Sequence, residues 1–340
     1  MQNEITQPIQ LLNSKGKITT EGWARYPLWQ YDRRAIGAGA LRIKEWDYYS
    51  ALSPDQGFGL TMTASDLGYA GLFALCFLDF RSRTYTQIDT LSLLPLGKTG
   101  FSPDSDSGQV LYKDKTLSLQ FLYQKSGDGI ARTLSFEAQG IKGEIELLQP
   151  ADLESINIAT SWAENRRAFY YNRKINCMPA RGSFTFGSQT WSFDPTRDFG
   201  ALDWGRGNWT YKNRWFWGSG SGYVDGAPFG FNIGYGFSDR TPASENCLVY
   251  EGKIHKLEDV IFHIPPGDYM APWKFSSNDQ RFEMDFLPLI DRQADTNLGI
   301  IRSAQHQVFG HFSGTATLDD GRKIKLEKFL GFAEDVYNRW

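Results

Sequence analysis

The sequence is poor in cysteine: Cys76, Cys177 and Cys247 are widely separated, odd in number and without a CxxC pair. Such a set excludes a disulfide framework and fits a reducing compartment, each thiol being read as a small buried hydrophobe. Histidine is scarce too. His255, His263, His306 and His311 make no HxH, HExxH or Cys–His cluster, so no metal site is expected. No apolar run approaches the roughly eighteen residues of a membrane helix. The opening MQNEITQPIQLLNSKGK lacks a basic segment followed by an apolar one, which predicts a cytoplasmic protein. Charge of one sign is also lacking: 36 basic against 39 acidic residues leave a net charge of −3, which favours neither nucleic acid nor an anionic membrane as partner. Nucleotide motifs are missing. "GKT" at Gly97 to Thr99 has Ser92 where a Walker loop needs glycine, "GSGSG" at Gly218 to Gly222 has Gly220 where a nucleophile elbow needs serine, and no dinucleotide fingerprint follows a βαβ pattern. No cofactor is expected.

What the chain has in abundance is aromatic residues, at 15%, and two-residue alternation. "FGLTMTAS", "TLSLQFLYQ", "RTLSFEAQ", "GEIELLQ" and "SGTATL" read as strands. Asp128-Gly129, Asp225-Gly226 and Asp320-Gly321 supply the chemistry of tight hairpin turns. Many short strands with tight turns predict an all-β fold of antiparallel barrels or sandwiches. Helical signals are weak: "PADLESINIATSW" fits a short helix or a strand, and "FLGFAEDVYNRW" is read as a closing strand. The length of 340 residues predicts two domains, 1–170 and 171–340, divided at the basic and polar run "ENRRAFYYNRKIN".

The stretch from Asp203 to Phe237, DWGRGNWTYKNRWFWGSGSGYVDGAPFGFNIGYGF, crowds aromatic rings among glycines. A two-residue loop at Asp225-Gly226 sets Val224 opposite Ala227 and fixes the whole register. On one face Phe216 then opposes Tyr235, Gly218 opposes Ile233, Gly220 opposes Phe231 and Gly222 opposes Phe229. That face reads as core. On the other, Trp215 opposes Gly236, Trp217 opposes Gly234, Ser219 opposes Asn232 and Ser221 opposes Gly230. Indoles beside glycine, with serine and an amide, predict a ligand pocket; barrel interior packed by the same tryptophans is the alternative. Trp209 and Tyr211 share the parity of Trp215 if the strand extends back that far.

Polar groups able to do chemistry are few. In "RIKEWDYY" alternation places Ile43, Glu45, Asp47 and Tyr49 on one face, with Lys44, Trp46 and Tyr48 on the other. Glu45 and Asp47 make either a carboxylate pair able to hold a proton or a solvent-facing pair of charges. Asp203 and Arg206 in "DWGRG" make either a loop-fixing ion pair or, with Asp203 held near Trp204 and Trp209, a general acid beside aromatic faces. Glu245 and Asn246 follow the hairpin and reach towards the same cavity, as an acid and an amide or as structural hydrogen-bonding groups.

These stretches resemble a known family. "RIKEWDYY", "DWGRGNWTY", "GFNIGYGFSD", "ASEN", the opening "EITQPIQLLNSKGKITTEGWARYPLWQYDR" and the ending "GFAEDVYNRW" are similar to the family called domain of unknown function 2804, over nearly the full chain. More distantly the pattern resembles the tandem lipocalin-like proteins, which include carotenoid 1,2-hydratase, tocopherol cyclase and certain fungal Diels–Alderases. That resemblance implies two lipocalin-like, calycin-type β-domains and a small apolar ligand; fold likeness alone gives no function.

The leading expectation is therefore a small apolar or amphipathic molecule held in the C-terminal domain or between the domains, with acid-catalysed hydration, cyclisation or isomerisation. Asp203, Glu45 and Glu245 are the candidate acids, with Asp47 and Arg206 beside them. Trp204, Trp209, Tyr211, Trp215, Trp217, Ser219, Asn232 and Asn246 are the candidate lining. A carbohydrate-active enzyme using paired carboxylates and tryptophan platforms is the second expectation, and a non-catalytic carrier or scaffold the third.

Overall fold

Alternation of apolar and polar residues drives nearly the whole chain into antiparallel strands. The computed structural model describes residues 2–297 and 299–340, among which there is no α-helix, only short 3₁₀ turns at Arg33–Ala35 and Ala40–Arg42. The strands form two large sheets, each curled into a lipocalin-like half-barrel. In the first, Ile43–Ser53, Phe199–Asn208 and the long Asn165–Phe186 are central, flanked by Phe58–Asp66, Ala70–Asp79 and Thr84–Leu93 on one side and by Ile141–Gln149, Gly129–Ala138, Leu117–Ser126 and Gly108–Lys113 on the other. In the second, Lys212–Val224 and Lys323–Arg339 are central, with Ala227–Tyr235 beside the former and Arg302–Thr317 and Phe282–Asn297 beside the latter.

The chain passes from one sheet to the other between Asn208 and Lys212. The division expected at residue 170 falls inside Asn165–Phe186, so hydrogen bonding divides the chain some forty residues later than the expected linker. The run "ENRRAFYYNRKIN" is an innermost strand. Its charges misread as surface because Arg173 and Lys174 are buried against carboxylates on opposite faces of that strand. Both ambiguous segments are strands, Ile156–Trp162 and Lys323–Arg339.

Three cores follow from this layout. Tyr49, Leu60, Phe121, Leu134 and Leu147 belong to the core of the first sheet, and Phe229, Phe231, Ile233, Phe275 and Phe312 to that of the second. The third is the seam, where Tyr48, Leu52, Cys76 and Leu78 of the first sheet meet Trp217, Phe309, Leu330 and Phe332 of the second. A strand buried on both faces must carry apolar groups on both, which is why aromatics crowd the sequence around the seam.

The hairpin register is as its turn requires: Val224 pairs with Ala227, Trp217 with Gly234 and Gly222 with Phe229. Asp225 (φ 51°) and Gly226 (φ 80°) are both left-handed, the requirement of a type I′ turn. A Cβ on Gly226 would meet no atom within 4 Å, so Gly226→Ala carries only the conformational cost, expected at about 1 kcal/mol in urea unfolding. The other two Asp-Gly sites differ. Gly129 pairs with Ser126, so the loop is Gly127-Asp128, one residue earlier than expected. At Asp320-Gly321 the N–H of Leu318 bonds the carbonyl of Arg322, leaving a three-residue loop closed by left-handed Gly321.

Candidate functional site

Hydrogen-bond register assembles the seam in rows. Across the second sheet run Gly234, Trp217, Glu334 and Gln307; across the first run Lys174, Asp203 and Tyr48, with Asn172, Gly205 and Trp46 as the adjoining row. Period-two alternation points all these side chains at the other sheet. Gly205 is required there, because a Cβ would run into the Trp46 ring.

Asp203 lies at the centre. Its Oδ2 is 2.8 Å from Lys174 Nζ, and its Oδ1 accepts from Trp46 Nε1 at 3.1 Å and from the Asn172 amide. The Lys174 ammonium stands 3.9 Å over the Trp217 ring. Trp217 Nε1 donates to Asn232 Oδ1 (2.7 Å), and Asn232 Nδ2 donates to the Glu245 carbonyl (3.0 Å). Tyr170 donates its hydroxyl to Glu245 Oε2 (2.8 Å), while Glu245 Oε1 has no hydrogen-bond partner. Glu334 accepts from Trp215 Nε1 at 2.9 Å and from Gln307 Nε2 at 3.1 Å.

Three buried carboxyl groups, on Asp203, Glu245 and Glu334, therefore gather about one ammonium, Lys174. On Glu245 and Glu334 burial penalises the charged form more than Lys174 favours it. It pushes Glu334 up to about 7 and raises Glu245 as well, the nearby Asp203 charge adding to both and Lys174 opposing. Glu334 thus shares a proton with solvent near neutral pH inside an aromatic wall. Trp209 is the hub of that wall, with ring centroids 5.4 Å from Trp215, 5.6 Å from Trp46 and 5.5 Å from Tyr170.

The seam brings together Asp203, Glu245, Trp209, Trp215, Trp217, Ser219 and Asn232, but the space expected beside the indoles is filled. A Cβ on Gly234 would strike Glu245 Oε1, and one on Gly230 would come 2.7 Å from Cys177 Sγ. These glycines admit side chains from other strands. Ser219 accepts from Asn176 at 2.8 Å. Asn246 brackets the backbone, accepting from the Gly234 N–H (2.7 Å) and donating to the Glu258 carbonyl (2.9 Å). Tyr211 lies outside, half exposed, with its hydroxyl on the Ile300 carbonyl.

The other candidates occupy a separate chamber. Asp203 and Arg206 are three residues apart on a strand and so point to opposite faces; the ion pair considered between them does not form, and Trp204 is likewise on the far side from Asp203. Arg206 bonds Asp47 Oδ1 at 2.9 Å and lies 3.9 Å from the Trp204 ring centroid, inside the first half-barrel. Glu45 is held there by the Tyr31 hydroxyl (2.8 Å) and by Arg33. The solvent-facing alternative for Glu45 and Asp47 is thus overturned, both being fully buried. Burial raises Asp47, with Arg206 opposing.

Sequence reasoning missed Lys174, Tyr170, Glu334 and Gln307. Glu334 carried a usable signal: in the strand reading of "FLGFAEDVYNRW" it shares the parity of Leu330 and Phe332, an acid on an apolar face. Lys174 carried no such signal, since Asn172 and Asn176 share its parity in "YYNRKIN" and that face reads as polar.

Solved structures similar to this one share the fold at low identity. CghA with Sch210972 matches at 13% identity and a TM-score of 0.55, over 88% of this chain and 89% of that one. A putative AttH from Nitrosomonas europaea matches at 12% and 0.54, over 92% and 98%. Kievitone hydratase from Nectria haematococca matches at 14% and 0.50, over 98% of both chains. A search of curated proteins gave no match. Among the described residues no helix is long and apolar enough to cross a membrane. A family model spans residues 2–340, and the chain belongs to the family described as domain of unknown function (DUF2804).

Proposed function

We propose that the protein takes a small apolar or amphipathic molecule between its two sheets and acts on it by proton donation, as in hydration, cyclisation or isomerisation. The observation that carries the reading is the gathering of Asp203, Glu245 and Glu334 about the single Lys174 within a tryptophan-lined seam. Glu334 is the proton donor. Its O–H proton passes to an unsaturated carbon, whose π electrons form the new C–H bond. The resulting cation faces the indole rings and is quenched by water or an internal nucleophile, and a proton returned to the carboxylate closes the cycle. The fold likeness to a hydratase and to CghA with Sch210972 supports a small-molecule role at the level of fold.

The seam is tightly packed: side chains fill the space beside Gly205 and Gly234, and the cavity between Ser50, Phe199, Ser219, Ser221 and Phe332 is only about 10 Å³. Substrate reaches it by parting of the partly exposed Trp46, Trp215 and Trp340, which surround Trp209. The carbohydrate reading draws on the same converging carboxylates, with Lys174, Asn232 and Gln307 beside them. The scaffold reading draws on Glu45 and Asp47, both paired with arginine.

Native mass spectrometry of freshly purified protein is expected to show a retained small molecule, lost in the double variant Trp217→Ala, Asn232→Ala; retention by that variant removes the site from the seam. In D₂O the wild type is expected to place deuterium on carbon in that molecule and Glu334→Gln is not. Absent labelling in both leaves a carrier, and equal labelling in both removes Glu334 as the donor.

A further inference from the structure

We propose that the interior of the first half-barrel is a second ligand site, a receptor for a small organic monocarboxylate held by Arg132, Tyr49 and Tyr123. The site is distinct from the seam and does not rest on the reading given to it.

Arg132 projects inward from Gly129–Ala138, between Tyr123 and Leu147 in register, and is 0% exposed. Two other guanidiniums are buried as deeply, and both are compensated. Arg206 has Asp47 at 2.9 Å and Glu45 at 3.9 Å; Arg173 is ion-paired with Asp106 and bonds Ser105 (2.8 Å) and Ser155 (3.0 Å). Arg132 hydrogen-bonds no carboxylate; Asp47, which Arg206 holds, lies near enough only to feel its charge. One nitrogen donates to the neutral Gln149 Oε1 at 2.9 Å, and the same nitrogen is 3.8 Å from Asp106, which Arg173 already holds. Its Nε and Nη1 have no partner, nor have the wholly buried hydroxyls of Tyr49 and Tyr123.

A buried guanidinium with unmet N–H groups is costly, and a fold sustains it where an anion supplies the missing partner. The donors define that anion. The three N–H groups of Nε and Nη1 and two phenolic O–H groups suit carboxylate oxygens, and the single positive charge of Arg132 matches a monoanion better than a phosphate dianion. Burial raises the Tyr49 hydroxyl to about 12, with Arg132 opposing, so the phenol stays a donor. A route exists: a cleft of about 280 Å³ opens between Tyr26, Lys125, Gly127 and Ala151, with Asp106, Gln149 and Arg173 among its lining residues. Gln149 and Asp106 both line the cleft and both approach Arg132, which links the two.

The test uses the full-length protein with decanoate, decan-1-ol and inorganic phosphate, by calorimetry and thermal unfolding. Decanoate is expected to bind and raise Tm, while decanol and phosphate bind at least about tenfold more weakly, as loss of a charge-assisted hydrogen bond implies. Arg132→Gln is expected to weaken decanoate by a similar factor. Tyr123→Phe, which removes one hydroxyl and keeps the packing, is expected to weaken it without loss of fold, so a misfolded Arg132 variant leaves the proposal open to refutation. Binding of decanoate is expected to survive Trp217→Ala with Asn232→Ala, which separates this site from the seam. No binding of decanoate, equal binding of decanol, or unchanged affinity in Tyr123→Phe and Arg132→Gln overturns the proposal.

Discussion

Replacing Arg206 with methionine is expected to lower stability by about 3–5 kcal/mol at neutral pH, the usual result of removing one member of a buried ion pair. Arg206 is wholly buried. It bonds Asp47 (2.9 Å) and the carbonyls of Trp46 (2.8 Å), Gly205 (2.9 Å) and Ser102 (3.1 Å). Without it the Asp47 carboxylate has no hydrogen-bonded cation, its second oxygen being already unpartnered, and only the more distant charge of Arg132 remains. The pH dependence gives the signature. Burial raises folded Asp47 above its ordinary 3.8, and loss of Arg206 raises it further. A carboxyl raised on folding contributes full stability below its unfolded value and loses it as pH rises through the folded value. The deficit should therefore be larger at pH ~8 than at pH ~5 by denaturant unfolding, and Arg206→Met with Asp47→Asn should recover part of it. A deficit that ignores pH and Asp47→Asn would assign Arg206 to packing alone, on the Trp204 and Phe101 rings.

Glu334→Gln is expected to act in the opposite direction. Folded Glu334 titrates at about 7 against an ordinary 4.5. Between those values the folded state holds a proton that the unfolded state has lost, so stability falls as pH rises and is lower by roughly 3 kcal/mol above the folded value. Glutamine cannot ionise. The variant should be more stable than its parent at pH ~8 by up to that amount, equal to it near pH ~4, and without the intervening slope. The amide fits when Gln307 and Gln305, which both donate to the same Glu334 oxygen, turn their carbonyl oxygens to accept from the new NH₂, while Trp215 still donates to the remaining oxygen. A parent curve flat between pH ~4.5 and ~7 would show that Glu334 ionises freely, removing it as the proton donor.

Much of the fold was legible where local chemistry alone decides it. A two-residue turn leaves no freedom of register, so the pairing of Trp217 with Gly234 followed from Asp225-Gly226. Alternation separated Glu45 and Asp47 from Trp46 and Tyr48, and it also forbids Asp203 and Arg206 from meeting. What alternation cannot say is which face meets a second sheet. Strands such as Phe199–Asn208 are buried on both sides, so neither face reads as solvent. The seam residues come from segments far apart in the chain, and nothing local announces that Glu245 will fill the space beside Gly234. Buried charge misleads in the same way: Lys174 and Arg173 look like a hydrophilic connector until their carboxylate partners arrive from other strands.

The pairing of Lys212–Val224 with Lys323–Arg339 also bears on how the molecule is made. As the polypeptide leaves the ribosome, the first sheet can close once Asn208 has emerged, and the hairpin through Asp225-Gly226 soon afterwards. One edge of that hairpin then waits, unpaired, for a strand more than a hundred residues downstream. An open edge beside exposed tryptophans is a template for wrong partners, and loop closure over such a separation is slow. The nascent chain therefore carries its greatest risk of aggregation in the interval between the two strands, when the ion pair of Lys174 and Asp203 is formed but still wet.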